Sequence, residues 1–510
     1  MTFLARAARG SRPVNTTEDC RGPITQRRAF ALSVALFVLA SPRTQLSAQA
    51  PGFAPLTIGD VTLSGSLRTR LESWKWFGGN SNGTYTYPGT LVRIALSQSR
   101  PRLDWNAELS VPLLVALPEQ PLGAGPAGLG ANYFVANDRN RHAASVFAKQ
   151  AFVRFKRFGG VNGQSLKVGR MEFFDGAEAS PKSTTLAALK RDRVASRLLA
   201  NFGFTHVQRS FDGFLYALDR PALNVTVLAV RPTQGVFQVD GWGELNISVL
   251  YGALTREISG AVATSEWRVF ALEYDDRRHG ITKTDNRPLA ARRLDQDHID
   301  VGTFGFHYIG AVERAPGTID VLLWGAAQIG SWGELAHRAG AFAVEGGWQP
   351  RTRLAPWIRG GLDYASGDGD PDDTTHGTFF QVLPTPRLYA RFPFFNLMNS
   401  VDTFGEVMLK PSARVATRID VHSLRLADGR DLWYQGGGAF QSATFGYMGE
   451  AVAGQHGLAT LYDASADVTL SNHIGIVAYF AHASGGAASA NSYAAQNSAE
   501  LGYLELTIRF

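Results

Sequence analysis

The last ten residues, Leu501-Gly502-Tyr503-Leu504-Glu505-Leu506-Thr507-Ile508-Arg509-Phe510, carry the reading on which the fold depends. Leu504, Leu506, Ile508 and Phe510 fall on one face, and Tyr503, Glu505, Thr507 and Arg509 on the other. A period of two is the strand period, because successive side chains leave a pleated backbone on opposite sides. One face is therefore built for an apolar medium and the other for a polar one. A soluble sandwich would also alternate, but nothing in a sandwich requires its last residue to be aromatic.

The same period recurs upstream. In residues 61–74, Val61, Leu63, Leu67 and Leu71 alternate with Thr62, Ser64, Ser66, Arg68, Arg70 and Glu72. Residues 91–98 set Val92, Ile94 and Leu96 against Arg93, Ala95 and Ser97, and Leu103, Trp105, Ala107 and Leu109 oppose Asp104, Asn106 and Glu108. Further on, Ala416, Arg418, Asp420 and His422 share a face opposite Val415, Thr417, Ile419 and Val421. Turns rich in Gly, Asn and Asp separate these runs, as in Gly78-Gly79-Asn80-Ser81-Asn82-Gly83 and Ala427-Asp428-Gly429-Arg430. Residues 184–199 alone read as a short helix within a loop.

At the other end, Arg27-Arg28 precede an apolar run over residues 29–40, and Ala48-Gln49-Ala50 supplies a small-x-small cleavage pattern. Residues 1–50 read as a bacterial export signal with an Arg-rich extension, its Arg27-Arg28-Ala29-Phe30 similar to a twin-arginine signal. The apolar run is too short to span a bilayer as a helix. An exported chain with a strand ending on Phe510 resembles bacterial outer-membrane barrels, whose assembly machinery reads such a terminal strand. A closed barrel is also the only β architecture that leaves no unpaired edge in lipid.

Composition agrees. Of 510 residues, 45% are hydrophobic, 11% aromatic and only 18% charged, with 54 Gly, which excludes disorder. The net charge of +6 resides largely in the leader, whose seven Arg face Glu18 and Asp19. Removing residues 1–50 leaves 43 basic residues against 42 acidic ones, so a nucleic-acid partner loses its support. The one Cys, Cys20, lies in the leader, which leaves residues 51–510 without disulfides or thiolate metal ligands. About 460 residues, at ~10 per spanning strand plus turns and outer loops, give ~16–20 strands in an even number. The expected fold is all-β: a single antiparallel transmembrane barrel of about 18 strands over residues 51–510, enclosing a polar pore in the outer membrane.

Several blocks resemble the alginate-export family of outer-membrane barrels. One is Leu166-Lys167-Val168-Gly169-Arg170, followed by Arg209-Ser210-Phe211-Asp212-Gly213. Another is Leu362-Asp363-Tyr364-Ala365-Ser366-Gly367-Asp368, continuing to Thr378-Phe379-Phe380 and Asn396. The chain departs from the family where Met171 follows the Gly-Arg pair and where Pro384 and Pro386 enter a shortened stretch. The resemblance implies a wide single-chain barrel with charged pore residues and an anionic polysaccharide as its cargo.

A polyuronate carries a carboxylate on each sugar, so a confined path for it needs cations, and acidic neighbours keep those cations from holding it too tightly. Arg is favoured because it grips a carboxylate through two N–H groups. Strand parity nominates Arg68, Arg70, Arg93, Arg154, Lys156, Arg359 and Arg418 as substrate-binding pore residues, and the family blocks add Arg170 and Arg209. Asp104, Glu108, Asp212, Asp363 and Asp420 are the expected counter-charges. The competing reading is a ladder of ion pairs that stiffens the wall. Arg170 fits the parity worst, since Leu166 and Val168 share its face.

The acidic loop Asp368, Asp370, Asp372 and Asp373 is interrupted by Pro371, and Phe379 stands where a calcium loop needs a bidentate Glu, so a solvated loop is expected there. Gly79-Asn80-Ser81-Asn82-Gly83 and Gly123-Ala124-Gly125-Pro126-Ala127-Gly128 match enzyme patterns but lack the strand–helix context those patterns need. No catalytic residue, metal or cofactor is assigned. The expectation is a passive outer-membrane channel for an anionic polysaccharide or oligosaccharide, with lipid, the barrel assembly machinery, the saccharide and periplasmic export components as partners. A porin for uptake of small solutes is the alternative, and a barrel hydrolase or surface scaffold the alternative of another class.

Overall fold

The computed structural model describes residues 56–78, 81–119, 129–385 and 391–510. The export-signal reading of residues 1–50 and the Gly123–Gly128 motif lie outside the described residues. Eighteen strands form one antiparallel sheet: β1 Val61–Lys75, β2 Thr84–Ser99, β3 Leu103–Leu114, β4 Phe147–Lys156, β5 Gln164–Met171, β6 Phe211–Arg220, β7 Leu223–Pro232, β8 Ile247–Ser259 and β9 Ala263–Asp276. The ring continues with β10 Ile299–Arg314, β11 Gly317–Trp332, β12 Leu335–Pro350, β13 Trp357–Ala365, β14 Ser400–Ser412, β15 Val415–Arg425, β16 Gly457–Thr469, β17 Ile474–Gly485 and β18 Ser498–Arg509. It closes where β18 pairs with β1, Ser66 opposite Arg509 through Lys75 opposite Glu500. The terminal strand thus completes the ring, and Phe510 exchanges backbone hydrogen bonds with Gly65 at 2.9 and 3.0 Å.

Neighbouring strands follow one another in sequence, so every connection is a hairpin. On the side of the barrel where β1 starts and β18 ends the turns are short, such as 221–222, 315–316 and 413–414. Long segments, including 172–210, 277–298, 366–399 and 426–456, lie on the opposite side. Short turns on one side and long loops on the other are the asymmetry of outer-membrane barrels, which places the long loops outside the cell.

The alternation seen in the sequence is the division between lipid and lumen. Leu71, Ile94, Leu109, Phe304, Phe306, Ile419, Phe480 and Leu504 are exposed on the outer face, while their neighbours Arg70, Glu72, Glu108, His307, Asp420 and Tyr503 are buried on the inner one. So many large apolar side chains facing out would be a liability in water, but in a bilayer they are the requirement. No helix among the described residues is long and apolar enough to cross a membrane. The strands do the crossing.

An eighteen-strand ring is too wide to be filled by its own side chains. The long loops fold inward and fill it. Segment 172–210 lies beside 366–399, where Leu383 and Ala200 exchange hydrogen bonds with Leu198 and Leu383 at 2.8 Å. Aromatic contacts extend the packing: Phe392 and Phe394 sit edge-on to Trp74 and Phe77, and Trp332 stacks on His376 at 4.1 Å. The helix expected over residues 184–199 is shorter than that reading. Thr184–Leu189 is α-helical behind a Ser183 cap, Lys190–Val194 is one wider π turn, and the chain then extends.

Three expected pore residues, Arg170, Asp212 and Arg209, belong elsewhere. Arg170 pairs in register with Ala151 and Asp212, on the face that also carries Val153 and Phe214, both exposed outward. Arg170 and Asp212 therefore form an ion pair, 2.7 Å long, on the outer face at the loop end of the barrel, with Trp242 beside the guanidinium. The apolar residues Leu166 and Val168 fix that face, and the charges sit at its rim. Arg209 is not on a strand at all. It is buried in segment 172–210 and donates to the carbonyls of Gly437 and Ala439, fastening two loops together.

If the outer face contacts lipid, Phe306→Arg, near the middle of β10, lowers the unfolding free energy in vesicles by ~2–4 kcal/mol. Denaturant titration of the reconstituted barrel measures it, and a change within ~0.5 kcal/mol, the size expected of an ordinary surface position, would place Phe306 outside the hydrocarbon.

Candidate functional site

The inner wall carries charges because each polar strand position points there. Arg68, Arg70, Arg93, Arg154, Lys156, Arg359 and Arg418 all lie on the inner face, as do Asp104, Glu108, Asp363 and Asp420. Each cation has an acidic neighbour. Arg70 reaches Glu505 at 2.6 Å and Glu72 at 3.0 Å. Arg93 joins Glu108 and, at 3.0 Å, Glu172. Lys156 meets Asp104 at 2.7 Å, and the Arg154 Nε donates to the same carboxylate at 2.8 Å. Arg418 lies 2.8 Å from Glu406 and 2.5 Å from Asp420.

The densest group is one that strand parity only half reveals. Arg359 on β13 pairs with Asp320 on β11 and, at 2.9 Å, with Glu345 on β12. Two further guanidiniums arrive from segment 172–210. Arg193 approaches Glu345 at 2.9 Å, and Arg197 approaches Asp363 at 2.8 Å and Glu345 at 3.2 Å. Glu345 thus serves three arginines, all buried. Arg193 also lies over the Phe404 ring at 4.2 Å and Arg197 over Trp324 at 5.1 Å. From the same turn, Lys190 reaches Glu266 on β9 at 2.7 Å.

The same segment is held at the far wall as well. Arg68 on β1 donates to the carbonyls of Gly203 and Thr205 at 2.7 and 2.6 Å, and Arg70 donates to that of Phe204 at 2.9 Å. Strands β9 and β1 stand eight places apart in a ring of eighteen, so segment 172–210 bridges the bore. Its backbone is pinned locally by Asp175, which accepts from the N–H groups of Leu198 and Leu199 at 3.0 and 2.8 Å. Burial pushes the Asp175 carboxyl up to about 6 despite those donors. Burial likewise brings the His206 imidazole down to about 4, so it is neutral beside Glu72.

Parity missed Lys149, which is fully buried, donates to the Arg209 carbonyl at 2.5 Å and lies 3.4 Å from Glu172. A register shift between Glu108 and Leu109 turns the upper part of β4 by one residue, so Lys149 and Gln150 both point inward. Such bulges leave no mark in the alternation pattern itself. Arg193 and Arg197 were missed because loop residues have no period. The acidic loop Asp368–Asp373 is a run of local turns, with the Asp370 N–H on Asp368 and the Asp372 N–H on Asp370, both at 3.2 Å.

A closed barrel, an outward apolar belt and a charged interior bridged by an inserted loop define an outer-membrane channel. A family model described as alginate export matches residues 129–499, and the chain belongs to that family. No curated protein matches it by sequence. Among solved structures, it is similar to Pseudomonas aeruginosa OccK9 (OpdG), with a TM-score of 0.56, 11% identity, and 88% of this chain and 98% of that one covered. It is similar to P. aeruginosa OpdK with vanillate, with a TM-score of 0.51, 7% identity, and 88% and 98% covered. Acinetobacter baumannii OccAB4 gives a TM-score of 0.53 at 7% identity over 89% and 98%. At these identities the likeness concerns the fold.

Glu345→Gln removes the negative charge shared by three guanidiniums, and breaking a buried ion pair on one side costs ~3–5 kcal/mol. The expected result is release of segment 172–210, seen as higher single-channel conductance and as trypsin cleavage at Arg193 or Arg197. Full protease protection at unchanged conductance would contradict it.

Proposed function

We propose that the chain conducts an anionic oligosaccharide or polysaccharide, alginate-like in carrying a carboxylate on each unit, through a path between the inner wall and the bridging segment. Residues 1–50 direct export, the assembly machinery recognises the strand ending in Phe510, and periplasmic export components deliver the cargo. The chain performs no chemistry on it. Family membership supports the cargo class.

The observation that carries the reading is which partner faces water in the pairs that Arg154, Lys156 and Arg93 make with Asp104 and Glu108. The Arg154 side chain is 43% exposed and Asp104 only 13%, and Arg93 is 23% exposed against 7% for Glu108. A passing carboxylate therefore meets guanidinium and ammonium groups first, while the acids behind them hold those groups in place and limit their grip. The guanidinium keeps its acidic neighbour while it receives the cargo carboxylate, so no charge is left stranded when the cargo moves on. The deeper cluster around Glu345 is closed, so it sets the position of the bridging segment rather than touching cargo at rest.

Planar-bilayer recordings test this. The native channel prefers chloride to potassium and is blocked by oligouronates, and a double Arg154→Glu, Lys156→Glu variant loses both properties. Cation preference in the native protein would refute the proposal. The second reading, uptake of small solutes, draws on the vanillate bound by OpdK, an aromatic carboxylate. Liposome swelling with small carboxylates together with indifference to oligouronates would favour it.

A further inference from the structure

The wall across the lumen from Arg154 and Lys156 has the opposite charge balance. On β14 to β16 the inner face presents Asp402, Glu406, Asp420 and Asp463, with the Arg418 guanidinium and His422 in their midst. Glu406 and Asp463 stand directly opposite Asp420 in register, on either side. Like charges side by side in a buried wall repel, so this arrangement calls for a cation beyond Arg418.

The side chains are already oriented for one. The His422 Nδ1 lies 2.9 Å from Asp402, while its Nε2, fully buried, has no hydrogen-bond partner. One Asp463 oxygen has none either, and Asp420 has its ion pair with Arg418 but no hydrogen bond. One ligand atom each from Asp420, His422 and Asp463 lie within 4.8 Å of one another. An ion central to them stands at most about 2.8 Å from each, so shifts of roughly 0.6–0.8 Å reach zinc bond lengths of ~2.0–2.2 Å. A histidine with one ring nitrogen on a carboxylate, the other nitrogen unpartnered and two further carboxylates close by resembles the arrangement by which proteins orient a metal-binding histidine. The other acidic cluster, Asp295, Asp297 and Glu334, differs: Asp297 and Glu334 are exposed, and two cations, Lys283 and Arg287, reach Asp295 at 2.9 and 2.8 Å, against Arg418 alone at Asp420.

We infer that Asp420, His422 and Asp463 bind a divalent transition metal, zinc being the fitting ion, with Asp402 orienting the histidine. One nitrogen and two carboxylate oxygens suit zinc, and three protein ligands leave a fourth position for water. The ion joins β15 to β16 and offsets two of the excess negative charges. Arg418 on the same strand, Tyr479 on β17, Asp363 on β13, and Arg193 and Arg391 from the inserted segments are among the ionisable surroundings. The site stands apart from the cargo reading, because its occupation requires no transported solute.

The test uses the folded full chain in detergent, stripped with a chelator, given zinc chloride, and freed of excess metal by gel filtration. Elemental analysis is expected to find one zinc per chain, and cobalt in its place is expected to show the intense visible bands of a four-coordinate ion. Asp463→Asn and His422→Ala lose the metal, and Asp402→Asn weakens binding 10–100-fold. Each variant is checked for a folded barrel by its heat-modifiable gel mobility. Less than a tenth of a zinc per native chain, or equal affinity in folded His422→Ala, overturns the inference. If the variants fail to fold, the cobalt spectrum of the native chain decides, and six-coordinate bands, as for the hydrated ion, overturn it.

Discussion

Every backbone N–H and C=O in the hydrocarbon layer has to be paired inside the sheet, because lipid offers no partner. From that constraint the rest of the molecule follows. The sheet must close, so β18 meets β1. Closure assigns one side of each strand to lipid and the other to the interior. Eighteen strands enclose more space than their own inner side chains fill, so the interior has to be occupied by something else. Here the loops occupy it, and they need anchors.

The anchors are charges because of where the anchoring groups sit. The inner wall is the polar face of each strand, so a segment crossing the lumen meets Glu266, Glu345 and Asp363 on one side and Arg68 and Arg70 on the other. It answers the first with Lys190, Arg193 and Arg197 and the second with backbone carbonyls. Replacing buried ion pairs with apolar contacts is often no less stabilising. Their use here gives position, since a guanidinium fork accepts one geometry, and a bridging segment in a channel has to sit at one place in the bore.

Ring size and the lipid face were legible because both depend on a period of two that each strand repeats. Leu504, Phe306 and Ile419 fall outward without reference to any neighbour. The charged constellation was legible only where it stays on the strands. Arg93 with Glu108 and Arg154 with Asp104 follow from parity. Arg170 reads as interior because the family blocks supplied it, with Asp212 as its counter-charge, whereas Leu166 and Val168 on the same face assign both to the exterior. Arg193 and Arg197 lay beyond reach: their partners stand some 150 residues away in sequence, and no local pattern encodes that approach. His422 looked isolated in the chain because its neighbours Asp402 and Asp463 belong to adjacent strands.

The two walls of the lumen therefore do different work. On β2 and β4, Arg93, Arg154 and Lys156 are more exposed than the β3 acids they pair with, Glu108 and Asp104, and on β14 to β16 the acids are sunk into the wall with too few cations to match. A charged solute in such a bore experiences a field across its path rather than along it. On the proposed reading a polyanion would keep to the basic wall and be repelled from the acidic one, confined laterally without a deep well along the axis. Release then needs no strong bond to be broken, since each carboxylate leaves a guanidinium that already has its own acidic partner. The same imbalance that would repel a polyanion is the ground on which a metal cation is inferred at the acidic wall.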